Sequence, residues 1–207
     1  MPDRSDAYRR YKASTTLDYD AWKEGTPYDV AALDGMSAEE RGLVEADLLA
    51  LPKLDWRDVE ALRRLDTPKA RDRIHKAGHA QTDGAGVQAL GMDAEDGWSA
   101  DIETRFIRKL AQARLMEGAF ERLFAIAEAH PTPKVRAALL RLAAEGHDDV
   151  RYAYGAFLLY LNGHASTWYG FEPEYRPHLL ALKETGESHA AAVAWLKGKV
   201  DHPQAAT

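Results

Sequence analysis

The segment His130-Pro-Thr-Pro-Lys-Val-Arg-Ala-Ala-Leu-Leu-Arg-Leu-Ala-Ala-Glu-Gly146 leaves the chain few choices. Thr132 is a good N-cap, and Pro133 fits the first helical position, where a missing N–H is no loss. Val135, Leu139 and Leu142 recur at helical spacing, with Ala138 and Ala143 beside them. Gly146 is placed to end the helix in the left-handed region. The segment therefore predicts a short, firmly punctuated amphipathic helix over 133–145. A helix of that size must find neighbours to bury its apolar face.

The same punctuation recurs upstream. Ser37-Ala-Glu-Glu40 is a capping box, followed by Val44, Leu48 and Leu51 on one face. Pro52 interrupts that pattern, and Asp55 caps a helix with Trp56, Val59, Leu62 and Leu65 inward. Thr67-Pro68 opens a third helix, about 68–79, with Ala70, Ile74 and Ala77 toward the core. Residues 80–98 read as a Gly-rich acidic loop, with at most one helical turn around Val87 to Leu90. Periodicity resumes with Ile102, Phe106, Leu110 and Ala113, and again with Leu115, Phe120, Leu123 and Phe124. Asp149 is expected to cap a helix carrying Val150, Tyr154, Phe157 and Leu161, which Asn162-Gly163 stops. A helix from about Pro173 to Lys183 and one capped by Ser188 complete the chain.

No segment alternates as a strand would. The spacing predicts an all-α chain of about nine to ten short helices in antiparallel pairs, an α-α superhelix. Residues 1–27 would form an N-terminal arm, rich in Tyr8, Tyr11, Tyr19 and Trp22, packed on the first helices or offered to a partner. Residues 28–200 would form the helical array, with 80–98 as a loop insertion and 201–207 as a disordered tail.

Three stretches are self-similar: Asp-Trp56-Arg57 with Leu62, Glu-Thr104-Arg105 with Leu110, and Lys-Val135-Arg136 with Leu139. Their arginines lie 48 and 31 residues apart. In these motifs, and in the Leu65-Asp-Thr-Pro-Lys-Ala70 link, the chain resembles HEAT-repeat proteins of the short-repeat class. The likeness covers about 37–163 and extends to small bacterial members of the immunity or adaptor type. It implies a stack of helical hairpins that binds another macromolecule, with Arg57, Arg105 and Arg136 in structural roles, pairing with an Asp of the neighbouring repeat.

Composition narrows the function. With net charge −6, nucleic acid is an unlikely partner, because backbone binding needs clustered cations. There is no cysteine, hence no thiolate nucleophile and no Cys-ligated zinc. No apolar run approaches the ~20 residues of a membrane span, and the polar N-terminus shows no secretory signal, so cytoplasmic localisation is expected.

Motifs that carry chemistry are sparse. His75 and His79 lie four apart on a predicted helix, so both could face one metal, but the Glu of a metalloprotease motif is missing and Gly78 weakens the helix, and the plainer reading is an exposed, unpaired couple. No cofactor, metal or catalytic residue is assigned. Two stretches could touch a partner. Six carboxylates from Asp83 to Glu103, with no Lys or Arg among them, form either a solvated loop or a surface for a basic partner, through Asp93, Glu95 and Asp96. Trp168, Tyr169, Phe171 and Tyr175 form either a plug over the last helices or a set of anchors. The expectation is a non-enzymatic protein-binding scaffold or inhibitor, in one version an immunity protein neutralising a toxin. The alternative is a HEAT-like nucleic-acid binder of the DNA glycosylase type, using Lys69, Arg71, Arg73, Lys76, Arg105, Arg108 and Lys109.

Overall fold

The computed structural model describes residues 4–16, 18–114, 119–169 and 172–204, with backbone alone at 21 and 22. These residues form twelve α-helices and one 3₁₀ turn, with no strand among them. The chain divides into two compact units, Met1–Asp93 and Ala94–Thr207. No described helix is long and apolar enough to cross a membrane.

The first unit contains α1 (Asp6–Ser14), α2 (Tyr19–Lys23), the 3₁₀ turn Val30–Gly35, α3 (Ala38–Ala50), α4 (Trp56–Leu65) and α5 (Pro68–Ala80). The division between units falls inside α6 (Gly84–Asp96). Caps begin these helices where the sequence places them. Ser37 Oγ accepts the Glu40 N–H at 3.2 Å, and Glu40 accepts the Ser37 N–H at 3.0 Å. Asp55 and Asp58 form a second reciprocal box, and Thr67 accepts the Ala70 N–H at 3.1 Å. Consecutive helices α3, α4 and α5 pack on one another around Val44, Leu48, Val59, Leu62, Leu65 and Ile74. The N-terminal segment joins this core: Tyr11 of α1 is buried, and Ser5 donates its backbone and hydroxyl protons to Glu40 of α3.

The second unit contains α7 (Ala100–Gln112), α8 (Phe120–Ala129), α9 (Pro133–Glu145), α10 (Asp148–Leu161), α11 (Arg176–Ala181) and α12 (Gly186–Asp201). Here α9, α10 and α12 pack mutually. Their core is aromatic: Phe124 stacks on Phe157 with centroids 4.1 Å apart, and the buried Tyr154 hydroxyl donates to the Leu110 carbonyl at 2.5 Å. Gly155 lets leucines of the last two helices press on α10, since a Cβ there would lie 2.5 Å from Leu182 Cδ1.

The structure departs from the sequence reading in several places. Twelve α-helices replace the expected nine to ten. Residues 80–98 are no loop insertion, because 84–96 is helical. Each glycine there disfavours helix by up to about 1 kcal/mol. Against this, Ala85, Val87, Ala89, Leu90 and Ala94 are buried, and Asp83 accepts the Gly86 N–H as a cap. Gly146 is extended, with φ −67° and ψ −178°, rather than left-handed. A side chain is excluded there because a Cβ would stand 2.3 Å from the Leu142 carbonyl oxygen. Neither Asp149 nor Ser188 caps a helix: α10 begins after His147, α12 after Thr185, and neither has a side-chain cap bond. The predicted 173–183 helix is confined to Arg176–Ala181. Of the expected tail, Gln204 donates its N–H to the Asn162 carbonyl at 2.9 Å, while 205–207 lie outside the described residues, as do Leu115 and its neighbours to 118.

The three matched arginines do hold structure, through backbone carbonyls and near side chains as well as through acidic partners. Arg57 is buried, donating to Thr26 O at 2.7 Å and to Asp55 at 3.1 Å. Arg105, also buried, meets Asp101 one turn back at 2.9 Å. Arg136 donates to the Leu161 carbonyl and to Asn162. Arg41 and Arg73 likewise reach the carbonyls of Leu65 and Leu51. Guanidinium groups thus satisfy the orphan carbonyls that helix ends leave.

Candidate functional site

The residues singled out in the sequence do not form one constellation. Asp93 faces α5 rather than solvent: its side chain is 16% exposed, and one oxygen lies 3.2 Å from His75 Nδ1. Glu95 and Asp96 are exposed. The other three carboxylates of the run are engaged. Asp83 meets Lys53 at 2.7 Å, Asp101 meets Arg105, and Glu103 is buried against Thr132 with Lys134 at 3.3 Å. The exposed charge of the stretch lies in the last turn of α6. Glu95 and Asp96 sit in the last turn of α6, which holds no basic residue, against the negative end of the helix dipole. That placement disfavours the helix and leaves a negative surface.

The aromatic stretch also divides. Trp168 is half-buried, with its ring edge-on to Phe124 and Phe157 at 6.0 and 6.1 Å. Tyr175 is buried beside Trp195, whose other neighbour, His178, stacks at 4.3 Å. Both rings pack inward, as a plug does. Tyr169 faces solvent at 43% exposure and donates its hydroxyl proton to Glu121 at 3.1 Å. Phe171 lies outside the described residues.

Most of the cations proposed for a nucleic-acid face already have a partner within the protein or are buried. Arg71 meets Asp66, Lys76 meets Asp72, and Arg73 caps the end of α3. Arg105 and Lys109 are buried.

Two arrangements go beyond the sequence reading. The first is a cavity of about 230 Å³ in the first unit, between α1, α3, α4 and the segment ahead of the 3₁₀ turn. Val44, Leu48 and Leu51 form its apolar wall, Tyr11, Tyr28 and Asp58 its polar one, and Lys12 pairs with Asp47 at 3.2 Å on its rim. Burial, then the neighbouring charge of Asp58, pushes the Tyr28 phenol up to about 12. Burial also raises Asp58, whose oxygen accepts the Asp55 N–H at 2.7 Å. The buried Tyr11 hydroxyl has no hydrogen-bond partner among the described residues. The second is the His75–His79 couple, which is not unpaired: the two Nε2 atoms stand 3.1 Å apart, with Asp93 behind His75. Spacing of four on a helix signalled the couple, but nothing local could bring Asp93 to it.

The chain matches no known family model, no curated protein and no solved structure. The geometry therefore carries the functional argument alone. A further group, His147 with Asp148 at 2.8 Å and Asp149 at 2.5 Å, stands at the first turn of α10. There the positive end of the helix dipole opposes a cation and suits the two carboxylates as they are.

Proposed function

We propose that this chain is a non-enzymatic binding protein built from HEAT-like helical hairpins, holding another protein in the cytoplasm as an inhibitor or scaffold. Neutralisation of a toxin by an immunity protein is one version. What supports the reading is a repeated tertiary contact. Thr67, the N-cap of α5, donates its hydroxyl proton to Glu45 of α3, two helices back. Thr132, the N-cap of α9, does the same to Glu103 of α7, again two helices back. One contact recurring at one topological step is what stacking of similar hairpins produces, and stacked hairpins serve as binding surfaces. The negative end of α6 favours a basic partner. The burial of Arg105 and Lys109, and the bond of Arg73 to the Leu51 carbonyl, weigh against a duplex-binding face.

Capture of the full chain from its source, with mass spectrometry of what co-elutes, should yield a one-to-one complex. The double change Glu95→Gln with Asp96→Asn should then slow association at low salt, and the difference should fade at high salt. An unchanged on-rate at low salt removes the acidic surface from the interface. Failure to find any stoichiometric protein partner removes the binding role.

A further inference from the structure

We propose that His75 and His79 are the ligands of a zinc-class divalent metal site, with Asp93 orienting His75. The two residues are four apart on α5, so their rings leave the same face one turn apart. Their Nε2 atoms converge to 3.1 Å, with rings 71° from parallel. Two nitrogens at ~2.0–2.1 Å from a tetrahedral ion stand about 3.4 Å apart, so a small torsional adjustment admits the metal.

The proton arrangement fits as well. Nδ1 of His75 donates to the Asp93 carboxylate at 3.2 Å, which puts the lone pair on Nε2, facing His79. A carboxylate behind a ligating imidazole fixes its tautomer and its ring orientation. Asp93 reaches this position because α6 crosses α5 at Gly78. A Cβ on Gly78 would stand 3.4 Å from Leu90 N and 3.5 Å from Asp93 Oδ2. Lys76, between the two ligands in sequence, is neutralised by Asp72 at 2.6 Å. The His75 side chain is 53% exposed, so an ion here keeps coordination positions open to water or to a donor from another molecule. Neutral imidazole pairs suit zinc, copper and nickel and not magnesium or calcium.

Calorimetric titration of the untagged full chain with zinc should give one ion per chain, and titration with magnesium none. His75→Ala and His79→Ala should each weaken zinc binding more than tenfold, with the far-ultraviolet spectrum unchanged because both side chains lie at the surface. Asp93→Asn should weaken it 10–100-fold at unchanged stoichiometry. Absence of zinc binding overturns the site, as does binding undiminished in the His75→Ala, His79→Ala double variant. Zinc affinity unchanged in a folded Asp93→Asn variant overturns the orienting role.

Discussion

Thr132 joins two helices by facing both ways: its hydroxyl oxygen accepts the Val135 N–H at 3.2 Å, and its proton goes to the buried carboxylate of Glu103 on α7. The bond to Thr132, with Lys134 beside it, holds the Glu103 carboxyl below the usual glutamate range. The same side chain starts a helix and fixes where that helix packs. Thr67 makes the equivalent pair of bonds to Ala70 and Glu45 in the first unit.

Replacing Thr132 by alanine should therefore exceed the ordinary loss of a cap. A lost cap costs about 1 kcal/mol, and a buried acceptor deprived of its donor adds ~1–3 kcal/mol. Urea denaturation should show Thr132→Ala destabilised by roughly 2–4 kcal/mol and Thr132→Ser close to the parent. Thr67→Ala should behave in parallel. A loss in either alanine variant no larger than that of an isolated cap would show the Glu contact to be idle.

Glu40 gives a pH dependence. Its carboxylate accepts the Ser5 N–H at 2.7 Å, the Ser37 N–H at 3.0 Å and both serine hydroxyls. These bonds, backbone ones foremost, hold it down at about 2. Because the folded value lies below the unfolded one, the stabilisation is complete above the ordinary glutamate range. It drains away as pH falls from there toward 2. Glu40→Gln should be less stable than the parent at pH 6, and the gap should narrow by pH 3. Denaturation midpoints at the two pH values test this; a gap independent of pH would contradict it.

Two glycines should respond in opposite directions to alanine. At Gly86 a Cβ would stand 1.9 Å from the Gln81 carbonyl oxygen, which is backbone and cannot swing aside. Gly86→Ala should cost about 2 kcal/mol or more, as overpacking does. Gly198, inside α12, has nothing within 4 Å of the added atom. Gly198→Ala should stabilise by roughly 0.5–1 kcal/mol. Thermal midpoints of the two variants on the same side of the parent would refute the contrast.

Much of the fold was legible because its signals are local. The Ser37–Glu40 box and the Thr67-Pro68 and Thr132-Pro133 openings each act within one turn. The apolar faces of Val59, Leu62 and Leu65, and of Val135, Leu139 and Leu142, follow from the helical period alone. The helix over 84–96 was hidden because its glycines argue locally against it, while burial of Val87, Ala89 and Leu90 argues for it only once neighbours exist. The candidate sites were less legible still. Burial of Tyr175 and Lys109, and the turn of Asp93 away from solvent, depend on what lies across from them.

The amino-acid sequence by itself determined that the chain is all-helical and where most helices begin, because caps and periodicity are interactions over three or four residues. Tertiary structure alone decided that Asp93 backs His75, 18 residues away, and that Glu103 meets Thr132, 29 residues away. Contacts at that separation are set by which helix faces bury together, a collective property of packing that no single segment encodes.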